Sequence, residues 1–346
     1  MMSDYKKIRL IHEIDATFTN ISPEIVNTLK SQIIDKEKQI NLERFFSGYS
    51  TEDTFYYIYS ALPWIKLIHP LSQEQVPFES KKEFQVPDFM VYIETSKNES
   101  MPLLIEVKGV KKKRSTLSLP QIQFENLANY ARVMNIPLLF AIYWQTYHIW
   151  TINDMEIFLK KTSCYKLDID TSIQNDLSVI FGDFTFIVPP HLQRAMTFDK
   201  NKQDNNPIKH KEYGGLVEEL ITWDVKKLYQ INSNESMLLR SFMNMGRNKI
   251  EQEGNITKML YISSEQYLPK FTYLIIRLLS KAKENLSEIN CSYAIQIVYN
   301  LFEEKLKLFK IFYMPKTRNN AHDAIMKQAF AETDVLDVYL SKSINI

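Results

Sequence analysis

The spacing of apolar and polar residues changes character several times along the chain. Ile8 to Ile14, I-R-L-I-H-E-I, alternates over a short segment. A helix signal follows, with Ser22 as cap, Pro23 in the first turn and Glu24 as the acidic start, ahead of Ile25, Val26, Leu29, Ile33 and Ile34. Gly48 breaks that pattern. From Ser50, S-T-E-D opens a second helix through Phe55, Tyr56, Tyr59 and Leu62 to about Pro63, which places Glu52 in its first turn. Val86 to Glu94 is rich in β-formers, T-S-K-N-E-S from Thr95 is a polar turn, and Leu103 to Lys108 is a second strand, so this stretch predicts a β-hairpin. Ser118-Leu119-Pro120 then caps a helix with Phe124, Leu127, Ala131 and Met134 on one face, and Pro137 to Tyr143 is a buried strand. Strand, helix and strand in that order form a βαβ unit with parallel pairing. Tyr147 to Ile152 adds one more strand.

Beyond it the pattern loosens. The sheet region closes near Phe184 to Pro190, and Asp199 to Gly215 has almost no apolar residue, as a linker or mobile loop would. From Leu216 the segments read as long and amphipathic, for example Tyr267 to Leu286 and Tyr293 to Phe312, without a fixed-period repeat. The expected organisation is therefore an α/β domain over 1–198, a linker over 199–215 and a mainly α-helical domain over 216–346. A chain of 346 residues is long enough for two cores, and 45% hydrophobic with 12% aromatic residues suits a folded protein. The formal net charge is only +1, so any polyanion surface must come from local clustering of the 42 Lys and Arg residues. Cys164 and Cys291 lie far apart with no C-x-x-C, which disfavours a disulfide framework or a zinc ribbon. With no signal-peptide-like start and no apolar run of membrane-spanning length, the expectation is a soluble, cytoplasmic protein without a membrane partner.

The chemistry concentrates in the hairpin. Side chains alternate along a strand, so Glu106 and Lys108 share one face while Ile105 and Val107 point to the other, and Asp88 lies on the neighbouring strand. A carboxylate two positions before a lysine is common, as at Asp4 to Lys6, Glu79 to Lys81, Asp224 to Lys226 and Glu303 to Lys305. Only Glu106 to Lys108 ends an apolar β-segment and follows a strand that begins with Pro-Asp. Two carboxylates and a backbone carbonyl make a hard-oxygen site suited to Mg²⁺ or Mn²⁺. Lys108 can orient or deprotonate a water, or neutralise charge on a phosphate. The basic run Lys111, Lys112, Lys113 and Arg114 just beyond is suited to a nucleic-acid backbone. His148 is expected as a strand residue, and Trp144, Tyr147 and Trp150 as sheet packing or, less simply, a stacking surface for a base.

V-P-D-F and the later I-E-V-K resemble the PD-(D/E)XK nuclease superfamily, the restriction-endonuclease-like fold, over about residues 45 to 155, and within it archaeal-type Holliday junction resolvases. The resemblance implies that Asp88 and Glu106 bind the metal, that Val107 offers its carbonyl and that Lys108 serves catalysis. It also brings in Glu52 as an acid on the first core helix, and Gln123, or alternatively Gln121, on the crossover helix. The expected activity is a Mg²⁺- or Mn²⁺-dependent endonuclease on DNA, in restriction, anti-phage defence or mobile-element processing, with the second half making a homodimer or recruiting a partner subunit. The rivals are a non-cleaving nucleic-acid-binding module and a protein-interaction subunit of a larger DNA-processing complex.

Overall fold

The computed structural model describes residues 4–17, 22–73, 75, 77–111, 113–202, 208–223, 227–284, 291–312, 325 and 329. The chain is mixed α/β and divides into two compact units between Gly182 and Asp183, with Ile325 and Ala329 belonging to the first. That division precedes the boundary expected at 198.

The first unit begins with α1 (Asp4–Thr17), α2 (Pro23–Ser31), α3 (Lys36–Ile40) and α4 (Leu42–Tyr59). Ile8 to Ile14 is helical rather than extended: Ile8 and Ile11 are buried against Ile33 and Leu42, a spacing of three that seven residues cannot distinguish from alternation. Ser22 caps α2 as expected, its side chain accepting from the Ile25 amide. Helix α4 starts eight residues earlier than S-T-E-D indicated and runs through Gly48, which places Glu52 in the helix interior. A single helical glycine costs only about 1 kcal/mol, too little to stop a helix held by packing.

Five strands build the main sheet: β1 (Ile65–Pro70), β2 (Phe89–Glu94), β3 (Ser100–Val110), β5 (Leu138–Trp144) and β6 (Ile149–Asp154), in the order β1-β2-β3-β5-β6. The hairpin β2–β3 pairs Phe89 with Ile105, and β3 runs parallel to β5 from Leu104↔Leu138 to Val110↔Trp144. Between them lie β4 (Thr116–Pro120) and the crossover helix α5 (Gln121–Met134). Ser118 is thus in a strand, and Pro120 is the cap residue of α5. On one face of the sheet α5 buries Phe124 and Leu127 against Leu104, Phe140 and Ile142. On the other, α4 sets Phe55 at 5.5 Å from Phe89 and Tyr59 at 5.9 Å from Trp150, ring centre to ring centre. Trp144 and Trp150 are buried, as packing residues should be, whereas Tyr147 is half exposed. His148 sits in the β5–β6 turn in the left-handed region, with its ring 3.1 Å from the Tyr143 hydroxyl. The unit closes with β7 (Leu159–Lys160), β8 (Cys164–Asp168), which pairs with β4, and α6 (Ile169–Gln174).

The second unit is rich in strands. It comprises β9 (Thr185–Val188), β10 (Gln193–Asp199), β11 (Lys209–His210), β12 (Gly214–Thr222), β13 (Tyr229–Gln230), α7 (Ser233–Phe242), β14 (Met245–Glu253), β15 (Ile256–Ser263), β16 (Gln266–Lys270), α8 (Phe271–Glu284), α9 (Cys291–Tyr299) and β17 (Phe309–Ile311). One sheet runs β11-β12-β10-β15-β14 with β13 beside β12, and another β16-β9-β17. The expectation of a mainly helical second half is not met by the described residues. Eight of the nine β14 residues are exposed, so that strand carries no inside–outside alternation, and β12 turns Glu219 inward onto Arg194, which hides its apolar period. Within the expected linker, Lys209–His210 and Gly214–Gly215 pair in the sheet. Residues 203–207 and Met314 to His322 lie outside the described residues. No helix of the described residues is long and apolar enough to cross a membrane.

Candidate active site

Strand β3 outruns its partner: the β2 pairing ends at Phe89↔Ile105, while β3 continues beside β5 alone to Val110. The chain entering β2 bends away at Asp88, and that residue takes up the buried Val107 amide left without a β2 partner, its Oδ2 accepting it at 2.7 Å. One backbone hydrogen bond thereby fixes Asp88 beside Glu106 and Lys108. Glu106 is 1% exposed. Lys108 Nζ donates to Glu106 Oε1 and, at 3.2 Å, to the Val107 carbonyl. Glu106 Oε2 is buried without a hydrogen-bond partner.

Glu52 reaches this cluster from the middle of α4, so it is not a residue that a helix N-terminus merely favours. Burial first, and then the charge of Asp88, push its carboxyl up to about 8 against the opposing pull of Arg9 and Lys108. The same two causes raise Glu106 to about 7 against Lys108, and burial raises Asp88. Burial would lower Lys108, but the charges of Glu106 and Asp88 outweigh it and hold the ammonium above its ordinary value. Perturbed carboxyls of this kind gather where a site has been built for a charge.

Helix α1 supplies a residue that the sequence reading missed. Arg9 lies 3.5 Å from Glu52 Oε2 and 2.5 Å from Asp53 Oδ1, and His12 Nε2 is 3.3 Å from Asp53 Oδ2. The alternation over Ile8 to Ile14 hides the signal for it, an arginine and a glutamate four apart on a helix, Arg9 and Glu13, which pair at 3.0 Å.

A cavity of about 560 Å³ opens on the Lys108 side, between Thr51, Glu52, Lys108, Lys111, Arg114 and Gln123. The structure thus brings Lys111, Arg114 and Gln123 to the site. Gln121 is drawn away, its amide donating to Glu125 at 2.8 Å. Lys113 is exposed and outside the cavity lining, and Lys112 lies outside the described residues. The first turn of α5 opens onto this space with no side-chain cap, so its positive end faces the cavity.

No family model and no curated protein matches the chain. Among solved structures it is similar to a Holliday junction resolvase of the archaeal hyperthermophile Archaeoglobus fulgidus, with 17% identity, 39% of this chain and 96% of that one covered, and a TM-score of 0.30.

Among the described residues no three His, Cys, Asp or Glu side chains are arrayed as a ready-made metal cage. Nitrogens stand on the carboxylates instead, Lys108 on Glu106 and Arg9 on Glu52. The donor set nonetheless suits a hard divalent cation: Asp88, Glu106 and Glu52 offer oxygens, and the buried Glu106 Oε2 has no other partner.

Proposed function

We propose that the chain is a divalent-metal-dependent endonuclease that hydrolyses DNA phosphodiester bonds, with Asp88, Glu106 and Lys108 carrying the chemistry. The observation behind this reading is the Asp88–Val107 hydrogen bond, which joins two carboxylates and an ammonium where β2 stops pairing with β3, with Lys108 lining a cavity shared with Lys111 and Arg114. Asp88, Glu106 and the Val107 carbonyl would hold Mg²⁺ or Mn²⁺, with Glu52 as a further oxygen donor. A cation bound there supplies Lewis acidity to a phosphate oxygen and lowers the pKa of a water. The charges of Glu106 and Asp88 hold the Lys108 ammonium above its ordinary value. That favours neutralising charge on the phosphate or orienting the water over removing a proton from it. Lys111 and Arg114 hold the backbone by charge, and Gln123 contacts it from α5. Cutting both strands of a duplex calls for two such sites, through pairing of two copies or a partner subunit.

Purified protein incubated with plasmid, linear and single-stranded DNA, and with RNA, in Mg²⁺ or EDTA tests the reading. The expected result is Mg²⁺-dependent cleavage of DNA that Asp88→Ala abolishes and Lys108→Ala lowers by about 10²–10⁴-fold. DNA binding without cleavage under any metal would assign a non-cleaving binding module. Cleavage undiminished in Asp88→Ala would remove the site assignment.

A further inference from the structure

A second cavity, of about 420 Å³, lies against the same carboxylates: Glu52 lines both cavities, and Asp88 lines this one. Its character is different. Tyr49, Tyr56, Tyr57 and Phe89 line it together with Leu71 and Arg9. Tyr56 lies nearly parallel to Phe89, with 24° between ring planes and 6.2 Å between centres, and Tyr57 stands edge-on to Tyr56 at 78° and 5.6 Å, so the rings form a corner. Tyr57 is 60% exposed, and the Arg9 guanidinium lies 4.9 Å over the Tyr49 ring. The volume falls within the range of small-ligand pockets, and flat aromatic faces are the chemistry that stacks a nucleobase. Arg9 is held in the wall by Glu13, Glu52 and Asp53, and Glu13 and Asp53 also line the cavity, where a carboxylate can accept from the N–H groups on a base edge.

Building on the nuclease proposal, we infer that this aromatic cavity receives an unpaired nucleobase next to the phosphate held at the carboxylates, so that the preferred substrate carries a single-stranded nucleotide at the cut. The two cavities divide the work. The side with Lys108, Lys111 and Arg114 suits the anionic backbone, and the tyrosine side suits a base. A base paired inside a duplex has both faces covered by its neighbours and cannot enter; one in a single strand or flap enters with little unstacking.

The test measures binding by fluorescence anisotropy, with Ca²⁺ in place of Mg²⁺ to limit cleavage. The probes are a labelled oligothymidine and an abasic strand of equal length. Wild-type protein is expected to bind oligothymidine about tenfold more tightly than the abasic strand, Tyr57→Ala to erase that difference, and Tyr57→Phe to keep it because the ring remains. Circular dichroism checks that the variants fold, which the exposure of Tyr57 favours. Equal binding of the two strands by wild-type protein, or an equal loss for both strands in Tyr57→Ala, would overturn the base pocket while leaving the nuclease reading to the Asp88→Ala result. Binding of neither strand would overturn the base pocket as well, and the cleavage assay would still decide the nuclease reading.

Discussion

At the scale of single residues, the site keeps its carboxyls protonated at a pH where an unfolded chain would have lost those protons. Burial and mutual repulsion raise Glu106 to about 7 and Glu52 to about 8, from an ordinary value of 4.5. The folded state therefore holds protons that the unfolded state has released. These groups cost no stability below about pH 4.5; the cost grows as pH rises from there and levels off above about 7 for Glu106 and about 8 for Glu52. A bound cation reverses the preference, because it binds the ionised form. Calorimetric titration should accordingly find Mg²⁺ affinity falling by about tenfold or more per pH unit below 7. In the same terms, Glu52→Gln should raise the melting temperature of the metal-free protein at about pH 9 by about 2–4 °C. An unchanged or lower Tm would mean that the Glu52 charge is already well compensated by Arg9.

At the scale of elements, two glycines near Glu52, one in α4 and one on β3, have opposite consequences. A Cβ at Gly48 would meet nothing closer than Glu52 Oε1 at 4.0 Å, whereas one at Gly109 on β3 would meet Thr51 Oγ1 at 3.1 Å. Gly48→Ala should therefore stabilise α4 by up to about 1 kcal/mol in denaturant unfolding. Gly109→Ala pushes α4 from the strand that carries Lys108, and should lower cleavage with little change in far-ultraviolet dichroism; adding Thr51→Ala, which removes the hydroxyl that the new Cβ meets, should recover part of the loss. In the second unit, β10 and β12 hold a buried ion pair in which Arg194 bonds Glu219 at 2.6 Å and Ser236 at 3.3 Å. Glu219→Ala strands the buried guanidinium and should cost about 3–5 kcal/mol of unfolding free energy. A loss under 1 kcal/mol would mean that water reaches Arg194.

At the scale of the whole molecule, the first unit is discontinuous in sequence. Ile325 and Ala329 are buried, and the Ala329 carbonyl accepts the Ser96 amide at 2.9 Å in the turn between β2 and β3. Ile325→Ala should cost about 2–4 kcal/mol and speed hydrogen exchange at Ser96. Unchanged exchange there would show that the returning segment does not brace the hairpin. The nuclease reading thus rests on a unit whose site comes from four separate stretches: α1 with Arg9, α4 with Glu52, the approach to β2 with Asp88, and β3 with Glu106 and Lys108.

How much of this was legible before folding depended on the range of the interaction involved. The hairpin, the crossover helix and its parallel partner strand could be read because each rests on local periodicity and short turns, and Asp88, Glu106 and Lys108 stood out because a carboxylate at a β-segment edge is anomalous. Glu52 was named from the resemblance but expected in a first turn, since Gly48 resembles a break until tertiary packing carries the helix through it. Arg9, the aromatic corner at Tyr56 and Tyr57, the strands of the second unit and the return of Ile325 are decided only by tertiary structure. They depend on contacts between residues far apart in sequence, on an edge strand exposed on both faces and on a charge buried with its partner, none of which leaves a period in the chain. The sequence by itself determined which groups the proposed chemistry would use; the fold decided which of them meet, because the Val107 amide, freed at the end of a strand pairing, is where Asp88 binds.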